Sequence, residues 1–96
     1  MNESTRREIA VLGQQAHALT ETAYRQHGAT RHTAAWPEKQ RILLADMALH
    51  LLQTSLREGD LDPGELKRNL YAILTIADQF LPAHDLKETA NGLLAG

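Results

Sequence analysis

Five histidines are the side chains of this 96-residue sequence with the broadest chemical capacity, because imidazole binds metal ions and carries protons. They are His17, His27, His32, His50 and His84. Asp46 and His50 are four residues apart, which places them on one helix face and suits either a metal pair or an ion pair. A zinc site needs three or four ligands, and the sequence has neither cysteine nor an HExxH motif. We therefore predict no metal ligands and no cofactor.

His17 is also a candidate phosphoryl carrier. Histidine-phosphotransfer domains carry Lys and Gly at the third and fourth positions after the histidine, whereas this chain has Thr20 and Glu21. The Glu21 carboxylate, one turn from His17, would repel a phosphoryl group. A histidine-dependent metal or phosphotransfer module is kept as a second alternative function.

The sequence carries no motif for catalysis. It has no nucleophile elbow, no glycine-rich phosphate loop and no cysteine. The segment 60–64 resembles a calcium loop only superficially, because its twelfth position is Tyr71 where a bidentate Glu is required. We expect a non-enzymatic protein without catalytic residues.

Nucleic acid is not an expected partner, because the net charge is −2 and the pI is near 6.2. A helix-turn-helix across Gly59 would place Lys67, Arg68 and Asn69 in the major groove. The helix before Gly59 is too long for that motif, and the helix after it is too apolar. A DNA-binding transcriptional regulator is therefore kept only as the first alternative function.

The elements that position these side chains are predicted to be helices, since β-branched and aromatic residues are scarce. Apolar residues recur at steps of three and four, and capping residues mark the helix starts. The pattern predicts helices from near Thr5 to Gly28, from Pro37 to Glu58, from Pro63 to about Leu81, and from Asp85 to about Leu94. The expected fold is all-α: a single domain, 1–96, forming a small antiparallel bundle of three long helices plus a short C-terminal helix.

The second helix is apolar around most of its circumference. Ile42, Ala45, Leu49, Leu52 and Leu56 form one seam, and Leu44, Ala48 and Leu51 form another beside it. Its polar line is Asp46, His50, Gln53 and Arg57. Such a helix must be buried on more than one side, and the polar line must face solvent or find partners.

This apolar excess predicts a homodimer. A 96-residue chain without disulfides has a small core and needs further stabilisation. The residues predicted for self-association are Leu43, Leu44, Met47 and Leu51. Trp36 and the loop residues Arg31 and His32 are predicted to contact an unidentified protein partner, since exposed Trp and Arg are favoured anchors.

No apolar stretch follows the charged first eight residues, and no run is long enough to cross a membrane. We therefore expect a cytoplasmic protein with no membrane contact. Size and helical content suit small bacterial or phage regulators that inhibit, chaperone or counteract another protein. The predicted function is that of a non-enzymatic regulatory or adaptor protein that acts through protein–protein interaction.

Overall fold

The computed structural model describes residues 1–95, which form four α-helices and one short 3₁₀ turn. The α-helices are α1 (Glu3–Gln26), α2 (Trp36–Leu56), α3 (Pro63–Asp78) and α4 (Leu86–Ala95), and the 3₁₀ turn spans Pro82–His84. These residues contain no strand, so the prediction of an all-α fold is confirmed. Across the same residues, no helix is both long and apolar enough to cross a bilayer.

The first helix begins two residues before the expected start. Asn2 is its N-cap, and the Asn2 side chain accepts a hydrogen bond of 2.8 Å from the backbone N–H of Thr5. The expected start near Thr5 is therefore too late, because Asn2 satisfies the first backbone N–H groups of the helix one turn earlier. The helix ends at Gln26, and Gly28 lies beyond its C-cap residue.

The third helix begins at Pro63, as predicted, and Asp62 is its N-cap. Asp62 accepts hydrogen bonds from the backbone N–H groups of Gly64 and Glu65, at 2.8 and 3.4 Å. By contrast, α2 ends at Leu56, two residues before the predicted end, and Gly59 adopts a φ of 90° in the connection. A glycine at positive φ turns the chain without the steric cost of a Cβ.

Adjacent helices pack together in chain order: α1 on α2, α2 on α3, and α3 on α4. The molecule measures 45 × 34 × 16 Å, with a radius of gyration of 15.0 Å. A compact domain of this length would have a radius of about 12.5 Å. The structure is therefore an open, bundle-like layer of helices whose shortest dimension is 16 Å.

The layer has a small apolar core. Among residues 1–95, the apolar side chains that are less than a tenth exposed are Ile76 and Ala90. The buried residues of α2 are polar: Gln40, Asp46 and Thr54. Packing within the layer therefore covers polar positions of α2 and leaves its apolar positions half-buried or exposed.

Candidate functional site

The contact between α1 and α2 fixes which side chains meet. Gly13 is buried where the helices approach closely, and a Cβ at this position would lie 2.9 Å from Leu52 Cδ2. Near one end of the contact, Arg6 Nη1 donates to the carbonyl of Leu56 at 2.7 Å. Together these contacts set the register that brings His17 of α1 opposite α2.

His17, Asp46 and His50 form a compact cluster between α1 and α2. The Nε2 atoms of the two histidines are 2.9 Å apart. Asp46 Oδ1 lies 3.3 Å from His17 Nε2, and Asp46 Oδ2 lies 3.4 Å from His50 Nε2. The imidazole rings meet edge to face, with an interplanar angle of 88°. The three side chains thus bring their nitrogen and oxygen atoms together between the two helices.

The cluster is partly shielded from water. The Asp46 side chain is 7% exposed, that of His17 is 19% exposed and that of His50 is 41% exposed. Thr20 Oγ1 donates a 2.6 Å hydrogen bond to Asp46 Oδ1 and orients the carboxylate. His50 also lines a cleft of about 360 Å³ between α2 and α3.

Within residues 1–95 these three side chains are the group able to hold a metal ion, since their ligand atoms all lie within 4.8 Å of one another. The sequence predicts no metal site because α2 alone supplies only two ligands, Asp46 and His50. Sequence spacing identified Asp46 and His50 but missed His17, because helix periodicity carries no information on contacts between helices. The i,i+4 pair was the available signal.

The four residues predicted for self-association are all half-buried. Met47 lines the α2–α3 cleft together with Thr54 and Asn69. Leu43 lies one turn before Met47 and therefore shares its side of α2. Leu44 and Leu51 are two turns apart, and helical spacing puts them beside exposed Ala48.

An apolar surface runs along α1 and α2. Leu12 and Leu19, which recur at helical spacing along α1, are 60% and 74% exposed. Leu19 shares a groove with Ala23 of α1 and Ala45 of α2, and the groove is also lined by Ile42, Thr20, Glu38 and Arg41. We call this surface the apolar face, and it comprises Leu12, Leu19, Ala23, Leu44, Ala45, Ala48 and Leu51. His17 lies on the other side of α1, so the histidine cluster and the apolar face are on opposite sides of the layer.

The predicted partner-contact residues lie at and before the start of α2. Arg31 and His32 are exposed, whereas Trp36 is half-buried as the first residue of α2. His32 has a φ of 77°, a left-handed conformation that is uncommon for a residue other than glycine. The structure thus presents Arg31 and His32 on a sharply turned loop.

The residues that would enter the major groove in a helix-turn-helix are only partly accessible to solvent. Lys67 and Arg68 are exposed, but Asn69 is half-buried. The Asn69 amide donates to Thr54 Oγ1 at 2.8 Å and to the carbonyl of Glu65 at 2.7 Å. An amide held in this way does not project from α3 as a base-reading side chain would.

Comparisons with protein-family models, with curated proteins and with solved structures found no match to this chain. Two features of the structure therefore bear on its function: the apolar face and the cluster of His17, Asp46 and His50.

Proposed function

We propose that this protein is a homodimeric, non-enzymatic regulator or adaptor that acts by binding another protein. The observation that supports the proposal is the apolar face, on which Leu12 and Leu19 are more than half exposed. Contiguous exposed apolar side chains mark interaction surfaces in soluble domains. A cytoplasmic location and a bacterial or phage origin belong to the same proposal.

A second copy of the chain is the proposed occupant of the apolar face. The accessible surface of the chain is 6625 Å², whereas a compact monomer of 10.7 kDa would expose roughly 5,500 Å². The difference, roughly 1,100 Å², exceeds the ~800 Å² that each partner contributes to a standard interface. One copy alone could therefore cover the excess surface.

Symmetric pairing suits the composition of this face. In a two-fold dimer the same patch meets itself, and the alanines at 23, 45 and 48 would let helices approach closely. In this arrangement Leu44 and Leu51 contact the second copy, whereas Leu43 and Met47 pack between α2 and α3. An antiparallel course of α1 and α2 is part of the proposal, supported by contacts that join Arg6 to Leu56 and Thr20 to Asp46.

The exposed loop carrying Arg31 and His32 is the proposed contact for the protein partner. It lies at the junction of α1 and α2, outside the apolar face, so that a dimer would keep two copies of the loop accessible. The guanidinium of Arg31 can form paired hydrogen bonds with a carboxylate. We propose an acidic surface as the feature that this loop recognises.

The dimer is tested by Leu19→Glu. Leu19 is 74% exposed, so the substitution should leave the fold of each chain intact and place a charge in the interface twice per dimer. We expect dimerisation at least ~100-fold weaker, because burial of one Leu contributes about 1.5–3 kcal/mol and each 1.4 kcal/mol is tenfold. Sedimentation equilibrium measures the change.

Leu61→Glu is the matched control, because Leu61 is 48% exposed but lies in the α2–α3 connection, outside the apolar face. It should dimerise like the unaltered chain. Equal dimerisation of all three proteins would exclude the apolar face as the interface. The Leu44→Glu/Leu51→Glu double variant should also give a folded monomer, and a variant that unfolds as a monomer would assign these leucines to the core.

A further inference from the structure

We infer that His17, Asp46 and His50 form a binding site for a divalent transition-metal ion, with Zn²⁺ as the representative ion. The site would join α1 to α2 on the side of the layer opposite the apolar face. This inference does not depend on dimerisation. Three properties of the cluster support the site: the spacing of its donor atoms, the protons available to them, and the surroundings of the Asp46 carboxylate.

The spacing of the donor atoms fits a metal site. Zinc binds imidazole nitrogen and carboxylate oxygen at about 2.0–2.2 Å, and in a tetrahedral site the ligand atoms are then about 3.3 Å apart. The corresponding distances here are 2.9 Å between the Nε2 atoms and 3.3 and 3.4 Å from Asp46 to His17 and His50. Asp46 uses Oδ1 towards His17 and Oδ2 towards His50, and one carboxylate oxygen lies within 4.8 Å of both nitrogens. Side-chain shifts of about 1 Å would bring the three ligand atoms to the tetrahedral spacing.

The available protons leave one contact of the metal-free cluster unfavourable. At most one proton can lie between two nitrogens that are 2.9 Å apart, so at least one of the Nε2 atoms presents a lone pair there. That lone pair also faces an Asp46 oxygen at 3.3 or 3.4 Å. A cation at the centre would accept a lone pair from all three groups and would replace this repulsion with attraction.

The surroundings resemble those of metal ligands in general. A buried carboxylate needs a compensating charge, and the Asp46 side chain is 7% exposed. Thr20 donates to Asp46 at 2.6 Å, which is the kind of outer hydrogen bond that orients a ligating group. Glu21 Oε2 lies 3.7 Å from His17 Nε2. Glu21 lies outside the group of three ligand atoms and pairs with Arg25 at 3.3 Å, so water would complete the coordination.

The donor set also selects the class of ion. Two imidazoles and one carboxylate suit zinc, iron(II) and similar cations, whereas calcium and magnesium prefer oxygen alone. The chain contains no cysteine, so thiolate-bound clusters are excluded. One ion at this position would link α1 to α2 directly, across a layer whose apolar core is small.

Calorimetric titration of the full chain with ZnCl₂ tests the site. We expect one ion per chain. Binding should be at least ~10-fold weaker in each of the ligand variants His17→Gln, Asp46→Asn and His50→Gln. It should be about tenfold weaker in Thr20→Val, since loss of an outer partner alone costs 10–100-fold. His32→Gln and His84→Gln are matched controls, because both histidines are exposed and distant in sequence from the cluster. Circular dichroism shows whether each variant is folded.

Long-range ¹H–¹⁵N spectra of the histidines give a second readout. Added Zn²⁺ should shift the Nε2 resonances of His17 and His50 and leave those of His32 and His84 unchanged. No heat of binding at 100 μM chain, or equal affinity in the ligand variants and the controls, would overturn the inference. Repeating the titration with Leu19→Glu separates metal binding from dimerisation, because the monomeric variant should bind Zn²⁺ equally well.

Discussion

Three buried polar side chains of α2 each meet a polar group on a neighbouring helix. Gln40 accepts from Gln79 at 2.9 Å, Thr54 accepts from Asn69 at 2.8 Å, and Asp46 accepts from Thr20 at 2.6 Å. A buried polar group that loses its partner costs more than the hydrogen bond contributed. These pairs therefore fix which helices pack against α2 and in which register. Contacts between half-buried leucines alone would allow several registers.

Thr75 provides a stability test for this argument. Within the part of the chain described, its Oγ1 is the buried side-chain oxygen without a hydrogen-bond partner. Thr75→Val keeps the shape and removes the unpaired hydroxyl, so we expect unfolding to require about 1 kcal/mol more free energy. Denaturant titration measures the difference.

Thr54→Val is the matched comparison, because its hydroxyl is paired with Asn69. It should destabilise the protein by about 1–3 kcal/mol, since the half-buried Asn69 amide loses an acceptor. If both substitutions shifted stability in the same direction, pairing of the hydroxyl would not be the controlling factor.

Glu3 gives a prediction that depends on pH. The hydrogen bond from Arg6 lowers the pKa of Glu3 from 4.5 to about 2, with a further contribution from Arg7. Because the folded pKa is the lower one, the associated stability is present above pH 4.5 and disappears as pH falls towards 2. An NMR titration of the Glu3 carboxyl carbon should show a midpoint near 2.

Arg6→Gln should return that midpoint towards 4.5, whereas Arg7→Gln should have the smaller effect, since Arg6 is the principal cause of the pKa shift. A midpoint above 4 in the unaltered chain would show that the Glu3–Arg6 pair does not form in solution.

At the scale of helices, the approach of α1 to α2 depends on Gly13. Its missing side chain leaves room for Leu52, and a Cβ would meet Leu52 Cδ2 at 2.9 Å. In a helix interior, glycine lowers helix stability by about 1 kcal/mol relative to alanine. Its presence at a buried contact is therefore explained by close packing.

Gly13→Val should separate the two helices locally. We expect a loss of about 1–3 kcal/mol, typical of overpacking in a well-packed contact, measured by thermal or denaturant unfolding. Combining it with Leu52→Ala should cost less than the two single changes together, because the smaller side chain makes room for valine. Strict additivity would show that Gly13 and Leu52 do not share the contact.

Helix existence could be predicted from local sequence, and helix neighbours could not. Asp62 followed by Pro63 marks the start of α3 because capping is a local interaction. The three-four stripe of α1 correctly predicted a helix, yet it did not predict that Leu12 and Leu19 would remain exposed. The exposure of Leu12 and Leu19 depends on how many helices surround α1. The approach of His17 to Asp46 depends on how α1 packs against α2.

At the scale of the whole molecule, the dominant feature is thinness. A layer 16 Å thick has two broad sides and little interior. One side carries the cluster of His17, Asp46 and His50, and the other carries the apolar face. Our account assigns a different stabilising contact to each side: a metal ion joining α1 to α2, and a second copy of the chain.

The central claim is that two chains associate through the apolar face. Light scattering coupled to size-exclusion chromatography, performed on the unaltered chain at micromolar concentration, tests it most directly. We predict a mass twice that of the 10.7 kDa chain, reduced to the monomer value by Leu19→Glu. A single species of 10.7 kDa from the unaltered chain would contradict the account.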